Sequence, residues 1–345
     1  MRAVVLVGGL GTRLRPLTLR TPKQMLPVAG RPMIERVVAH LAEHGVDEVV
    51  LSLGFKPDAF TGAYPDATCA GVRLVYAVEP EPLGTAGAIR FAANEAGVDE
   101  RFLVVNGDVL TDLDVSALVS FHDQAHERAG AEATIALVAV DDPSSFGVVT
   151  TDGEGRVAAF VEKPAPGDVG SNSINAGYYV LEPHALERIP AGERVSIERE
   201  TFPAMVAEGV VWAPSQEAWW IDVGTPERYL QASLDLIDRQ PGEANAISRN
   251  AISDIALVAS NAVVTRSAVG PGARIGRGAK VEDSVVFSRA IVGNGAVVKG
   301  SILGASVVVG AGAVVRDLSV LGNDVEIDDG AELVGATLPD PQTWP

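Results

Sequence analysis

The sequence predicts an α/β domain with a mostly parallel, Rossmann-like sheet, followed by a parallel β-helix of hexapeptide repeats. Three observations carry this. An apolar run, Ala3-Val4-Val5-Leu6-Val7, flows directly into a glycine-rich stretch, Gly8-Gly9-Leu10-Gly11-Thr12-Arg13-Leu14-Arg15-Pro16-Leu17-Thr18. Strand-like and helix-like segments then alternate to about residue 235. From Val263 onward, aliphatic residues recur every six positions.

Each element follows in turn. The opening run is apolar on both faces, as a buried parallel strand must be. Pro32 to His44 predicts a helix that Gly45 closes. Glu48 to Leu53 predicts a strand and Thr85 to Glu95 a helix. Phe102 to Val105 predicts a short strand ending at Asn106-Gly107-Asp108, and Ala133 to Val140 another. Pro226 to Ile237 predicts a helix with Thr225 as N-cap and Pro226 at the first helical position. Composition changes near Pro241, so the expected domains are residues 1–240 and 250–345.

The repeat series is Val263, Val269, Ile275, Val281, then Val286, Val292, Val298. After a five-residue step it resumes with Leu303, Val309, Val315, Leu321, Ile327 and Leu333. A period of six fits neither a helix nor an ordinary strand. It fits one side of a triangular coil whose aliphatic residue points inward. The pattern resembles the left-handed β-helix. All five histidines (His40, His44, His122, His126 and His184) precede these repeats.

The 345 residues carry a formal net charge of −18. Such a surface disfavours nucleic acid and anionic membranes as partners. The single cysteine, Cys69, allows no intrachain disulfide and reads as a small apolar filler. The first apolar run is too short for a signal peptide, and no segment approaches the roughly 18 apolar residues of a membrane span. A cytoplasmic protein is expected.

A strand that runs into a glycine turn at the carboxyl edge of a sheet is where nucleotide phosphates sit. Glycine lets backbone N–H groups approach a phosphate closely. Arg13, Arg15 and Lys23 add cations to the same segment. The P-loop string does not occur, and Leu14 stands where the dinucleotide fingerprint needs its third glycine. The segment reads as a triphosphate site of another kind.

The string Gly8 to Thr18 followed by Thr21-Pro22-Lys23 resembles the signature of the sugar-1-phosphate nucleotidyltransferases. The resemblance continues through Asn106-Gly107-Asp108, Phe146-Gly147-Val148-Val149, Glu162-Lys163-Pro164, Asn175-Ala176-Gly177 and Trp220 to Pro226. Gln24 departs from it, since many members have proline there. The resemblance implies that a sugar-1-phosphate oxygen attacks the α-phosphorus of a nucleoside triphosphate and pyrophosphate leaves. It implies that Gly8, Gly9, Gly11, Thr12, Arg13, Glu79, Gly84 and Thr85 bind the nucleotide. Arg13 would grip the triphosphate, Lys23 would bridge toward the transferring phosphate, and Arg15 is less defined. Asp108 and Asp222 would hold Mg²⁺, whose preference for hard oxygens suits carboxylates. Gly147, Glu162, Lys163 and Asn175 would meet the sugar phosphate.

Glu79 bears on the base. Guanine offers adjacent N–H and NH₂ donors that a carboxylate matches bidentately, whereas uracil would oppose it with carbonyls. Together with Leu83-Gly84-Thr85-Ala86-Gly87, this makes the chain most like mannose-1-phosphate guanylyltransferases. A thymidylyl- or uridylyltransferase acting on glucose-1-phosphate is the alternative. A hexapeptide acyltransferase needs a histidine base that the repeats lack. A non-catalytic regulatory subunit is disfavoured because Arg13, Lys23, Asp108 and Asp222 are all present. Leu338 and Trp344, near the far end of the solenoid, are expected to cap it or meet another subunit. A homo-oligomer through residues 250–345 is therefore expected.

Overall fold

The structure is a computed structural model and describes residues 1–54, 56–165, 170–239 and 249–344. The composition change at Pro241 lies outside the described residues. By contacts the chain separates into two compact units. The first comprises Met1–Gly9 and Ile34–Ile221, the second Leu10–Met33 and Asp222–Pro345. Segment 10–33 thus sides with the repeats, which a boundary drawn on composition alone does not reveal.

The first unit is built on ten strands: β1 (Arg2–Leu6), β2 (Glu48–Leu53), β3 (Thr68–Cys69), β4 (Val72–Val78), β5 (Phe102–Asn106), β6 (Ala133–Ala139), β7 (Gly147–Thr151), β8 (Val157–Glu162), β9 (Ser173–Leu181) and β10 (Val211–Trp212). The sheet order is β8-β7-β9-β5-β1-β2-β4-β3, with β6 pairing β9 and β10. The centre, β5-β1-β2-β4, is parallel. β1, β2 and β5 are largely buried, as strands covered on both faces must be, whereas β4 leaves Arg73 and Val78 exposed. Helices α1 (Met33–Glu43), α2 (Asp58–Ala63), α3 (Gly84–Glu95), α4 (Val115–Ala129) and α5 (Phe202–Ala207) belong to the same chain run. Val4, Val50, Val104, Ala86, Ile89 and Phe202 meet in one buried core.

The chain leaves β1 toward β2 and β4, then returns to the other side of β1 as β5. The strand order therefore reverses between β1 and β5. Beyond β5 the sheet continues as an antiparallel wing, β9, β7 and β8. That wing is where the structure adds most to the sequence expectation. Cys69 is buried, and burial pushes its thiol up to about 11, as a filler rather than a nucleophile would have it.

In the second unit, α6 (Pro226–Asp238) starts where expected, with the Thr225 hydroxyl accepting from Arg228 N–H. Among the described residues sixteen short strands follow in three parallel sheets, the arrangement of a β-helix and consistent with its left-handed form. Coils repeat at 17 residues, as in Ala251↔Ala268↔Val285↔Ile302, and once at 18, between Ile302 and Val320. Most coils thus have one five-residue side, so the five-residue step is the rule and not a single event. This corrects the phase at the start of the series. Val264 packs toward the core, while Val263 is 47% exposed.

One corner of these coils holds a buried serine, on the five-residue sides at Ser267, Ser284 and Ser301 and on a six-residue side at Ser319. Ser267, Ser284, Ser301 and Ser319 are fully buried. Ser284 N–H donates to Ser267 Oγ, Ser301 N–H to Ser284 Oγ and Ala336 N–H to Ser319 Oγ, each at 3.1 Å. Leaving one such amide unpaired would cost about 1–3 kcal/mol. Leu338 completes the last coil opposite Leu321, and the Trp344 indole donates to Pro339 O at 3.0 Å.

Candidate functional site

In the first unit, the carboxyl ends of the parallel strands converge on the point where strand order reverses. Gly8 leaves β1 there and Asp108 leaves β5. Gly107 N–H donates to Leu6 O at 3.0 Å and ties the two exits together. A Cβ on Gly107 would lie 2.7 Å from Val7 Cγ1 and 2.8 Å from Leu6 O, so only glycine lets the chain pass. Open α/β sheets bind ligands in such a crevice. Gly9 is exposed, and a Cβ there would meet nothing within 4 Å.

Glu79 follows β4 at the same edge. Its carboxylate accepts from Ser52 Oγ at 3.0 Å and from Leu83 N–H at 3.1 Å. It also lies 3.3 Å from where a Gly8 Cβ would stand. Each oxygen retains a second lone pair. Gly84 and Thr85 turn out to be engaged within the protein. Gly84 has φ +70°, and a Cβ there would come 2.5 Å from Val195 O. Thr85 Oγ1 donates to Glu198 at 2.7 Å and accepts from Ile197 N–H at 2.8 Å. These contacts seat the start of α3 against residues 195–198.

The antiparallel wing carries the second cluster. Gly147 pairs with Glu162 across β7 and β8, and a Gly147 Cβ would stand 3.0 Å from Glu162 Oε2. Lys163 adopts φ +51°, an unfavourable conformation for lysine, and its ammonium lies 3.7 Å from Glu162 Oε1. Asn175 donates to Tyr179 Oη at 2.8 Å, and its carbonyl accepts from Gly177 N–H at 2.9 Å. The amide therefore holds a bulge in β9, where pairing with β6 jumps from Asn175 to Tyr179. Trp220 closes this region, its indole donating to Ala176 O at 2.9 Å and its ring meeting Phe146 edge-on. Glu198 belongs here too, although the sequence reading did not single it out. It sits in a π-helical turn, Ile197–Thr201, for which the sequence carries no visible signal.

Burial first, and then the Glu198 carboxylate, raise the Glu162 pKa above its usual 4.5. The folded protein therefore holds this proton more tightly than the unfolded chain does. Ionising Glu162 costs stability above the raised pKa, and that cost disappears as pH falls through it. If the ionised form accepts from sugar hydroxyls, KM for the sugar phosphate should climb on acidification, starting at a pH where an ordinary glutamate is still charged. Glu162→Gln should flatten that profile. A wild-type KM that is level across the range would show that the carboxylate charge is not used.

In the second unit, Gly11 has φ +61° and is packed between Thr18 and Lys23; a Cβ would lie 3.1 Å from Thr18 Cγ2 and 3.2 Å from Lys23 Cβ. Thr18 Oγ1 donates to Gly11 O at 2.8 Å. A 3₁₀ turn, Thr12–Leu14, anchors on buried Leu14 and leaves Thr12 and Arg13 exposed. Lys23 is only 7% exposed, an unusual burial for lysine. Asp222 and Arg13 flank Gly224, where a Cβ would stand 2.9 Å from Arg13 Nη2 and 3.1 Å from Asp222 Oδ1. The glycine thus preserves a space between a guanidinium and a carboxylate.

One further cluster deserves a chemical test. Among the described residues, His122, His126 and Glu182 bring their ligand atoms within 4.8 Å of one another. Arg101 already occupies the carboxylate, at 2.6 Å from Nε and 2.5 Å from Nη2. Leu181 lies opposite Phe102, so Glu182 is at the other edge of the sheet from Asp108. Burial lowers the His122 pKa and keeps that ring neutral. The cluster is a buried polar network, and its guanidinium opposes a cation.

Comparison with known proteins gives a consistent result. A nucleotidyl transferase family model matches residues 2–239, and a GMPPB C-terminal domain model matches residues 246–341. Mannose-1-phosphate guanylyltransferase of Mycobacterium tuberculosis is 44% identical over 239 residues, 68% of this chain and 64% of that protein. Mannose-1-phosphate guanyltransferase of Aspergillus fumigatus is 42% identical over 236 residues, 67% of this chain and 62% of its own length. The matched region thus spans just under two-thirds of these relatives. Among solved structures, HddC from Yersinia pseudotuberculosis complexed with GMP-PN shares 31% identity at a TM-score of 0.58, covering 68% of this chain and 99% of that one. A putative glucose-1-phosphate thymidylyltransferase from Bacillus anthracis shares 26% identity at a TM-score of 0.60, covering 70% and 98%.

Proposed function

The chain belongs to the nucleotidyl transferase family, and on that premise we propose that it transfers a guanylyl group from GTP to mannose-1-phosphate. The products are GDP-mannose and pyrophosphate. The observation that carries this reading is the pair of exits at the strand-order reversal, Gly8 from β1 and Asp108 from β5. Similarity to proteins named as mannose-1-phosphate guanylyltransferases supports the substrates.

In the proposed reaction an oxygen of the sugar phosphate forms a bond to the α-phosphorus. The bond from the α-phosphorus to the bridging oxygen breaks, and pyrophosphate leaves with that electron pair. The nucleophile arrives ionised, so the protein contributes position and charge. Backbone N–H groups of Gly8, Gly9, Gly11 and Thr12 face the phosphates. Arg13 offers a bidentate grip on the leaving pyrophosphate, and Lys23 a compact charge toward the transferring group. Glu162 accepts from sugar hydroxyls, with Lys163 beside the phosphate and Gly147 leaving room for the ring. Asn175 shapes the bulge under it.

Asp108 and Asp222 are the carboxylates assigned to Mg²⁺. Their hard oxygens fit that ion, and the Gly224 space next to Asp222 is one that a Cβ would fill. Bound there, Mg²⁺ would neutralise phosphate charge that builds up during transfer.

Pyrophosphate release across a matrix of nucleoside triphosphates and sugar-1-phosphates tests the function. GTP with mannose-1-phosphate should lead. Glu79→Gln should narrow the preference for GTP over UTP and dTTP by roughly ten- to a hundredfold, the worth of one charge-assisted pair. An unchanged ranking would show that Glu79 holds its loop and does not read the base. Preference for glucose-1-phosphate with dTTP or UTP would favour the alternative substrate reading.

We also read the chain as a cytoplasmic homo-oligomer assembled through its β-helix. The single cysteine supports the compartment. Ile255 and Leu257, 67% and 61% exposed, support the assembly, as does Ile291 on the same sheet as Leu257. No helix among the described residues is long and apolar enough to cross a membrane. Sedimentation should give a multimer at micromolar concentration, and Leu257→Glu should dissociate it; a monomeric wild type would remove the proposal.

A further inference from the structure

The phosphate loop is held by the β-helix. We infer that the coil at Gly322 and Asp324 is a positioning element for the transfer reaction, acting through Pro16 and Arg20. This rests on reading residues 8–23 as the triphosphate site.

Three observations lead there. Pro16 is buried in the middle of the glycine-rich segment, between fully buried Leu14 and Leu17. A Cβ on Gly322 would stand 2.9 Å from Pro16 Cβ, 3.1 Å from Pro339 Cδ and 3.2 Å from Leu338 O. The absent side chain at 322 is therefore what lets the proline ring seat on the coil. Two residues on, Asp324 Oδ2 receives Arg20 Nη1 at 2.7 Å. Both side chains are more than half exposed, so this pair steers the loop more than it holds it.

A second grip lies further along the same segment. The Tyr229 hydroxyl donates to Pro27 O, and the Tyr229 ring meets Phe287 of the solenoid at 6.1 Å. Residues 10–33 are thus fastened near both ends.

Between the grips, the segment is wound tightly enough to transmit a displacement. Leu14 N–H donates to Gly11 O, Arg15 N–H to Thr12 O, Leu17 N–H to Leu14 O and Leu19 N–H to Pro16 O. Pro16 cannot shift without dragging the turn that presents Arg13. Catalysis by positioned charge is steep in geometry, and a misplacement of about 1 Å costs up to a hundredfold. Glycines at Gly276, Gly293 and Gly304 are crowded by the next coil's backbone, whereas at Gly322 the nearest atom is Pro16 Cβ.

A double-mutant cycle tests the inference. Gly322→Ala inserts the Cβ that Pro16 excludes; Pro16→Gly removes the ring. Gly322→Ala should lower kcat/KM by roughly tenfold or more, with KM for GTP rising more than KM for the sugar phosphate. In the Pro16→Gly background the same change should add little further loss. Losses that simply multiply, or a Gly322→Ala enzyme that melts earlier with its kinetics intact, would overturn the inference. Should Gly322→Ala fail to fold, hydrogen exchange of Pro16→Gly decides. Faster exchange at the Gly322 amide, which donates to Leu338 O at 2.7 Å in the wild type, supports the coupling; unchanged exchange refutes it. A wild type that turns over no nucleoside triphosphate would instead sink the proposed function, and the exchange experiment would still read the mechanical coupling.

Discussion

Asp108→Asn and Asp222→Asn are each expected to lower kcat by about a hundredfold or more, with melting temperature almost unchanged. The amide keeps the size and shape of the carboxylate and removes only its charge. Asp108 is half-buried just past the end of β5, reached through a glycine that no other residue can replace at that approach. Asp222 sits beside Gly224 and the Arg13 guanidinium. Neither carboxylate is needed to fill a core, so loss of charge should act on chemistry rather than on folding. Turnover measured against Mg²⁺ concentration separates the roles. A metal-ligand variant should need more Mg²⁺ to reach its lower plateau, and Mn²⁺ titrated without substrate should bind more weakly. Full activity of either variant in the presence of EDTA would end the metal assignment.

The parts that were legible in the sequence are those whose cause is local. The apolar run β1, Gly45 closing α1, and Thr225 capping α6 all depend on neighbours in the chain. The antiparallel wing was not legible as strands. Gly147, Glu162 and Asn175 could be placed in motifs, but their pairing depends on partners tens of residues away, and the Gly177 bulge breaks the alternation. Helix α4 carried its own signals, with Asp114 capping Ala117 N–H and Gly130 closing the helix at φ +67°. They went unread because His122 and other polar residues blur its apolar face. At the site, the contacts of Gly84 and Thr85 with Val195, Ile197 and Glu198 were not legible, because they join residues more than a hundred positions apart. The repeats were legible in period and misplaced in phase at Val263, because the side that runs from Val264 to Val269 is one residue shorter than the two that follow it.

Lys23→Met is expected to lower kcat by about a hundred- to a thousandfold, the usual worth of one charge aimed at a transition state. The choice of methionine follows from the packing. Lys23 Cβ lies 3.2 Å from where a Gly11 Cβ would stand, so its stem helps fix the left-handed turn at Gly11. Alanine would remove stem and charge together, and a loss of activity could then reflect a slackened loop. Methionine keeps an unbranched apolar stem of similar length and deletes only the ammonium. The side chain is almost fully enclosed, so deleting its charge also takes a partner from the groups it meets and should lower the melting temperature somewhat. Turnover should fall far more than that loss of stability accounts for. KM for GTP should change less than kcat, because a charge that bridges toward the transferring group is felt most in the transition state. A Lys23→Met enzyme with wild-type kinetics would make Lys23 a structural residue of the Gly11 turn. The triphosphate charge would then have to be met by Arg13 and its neighbours alone.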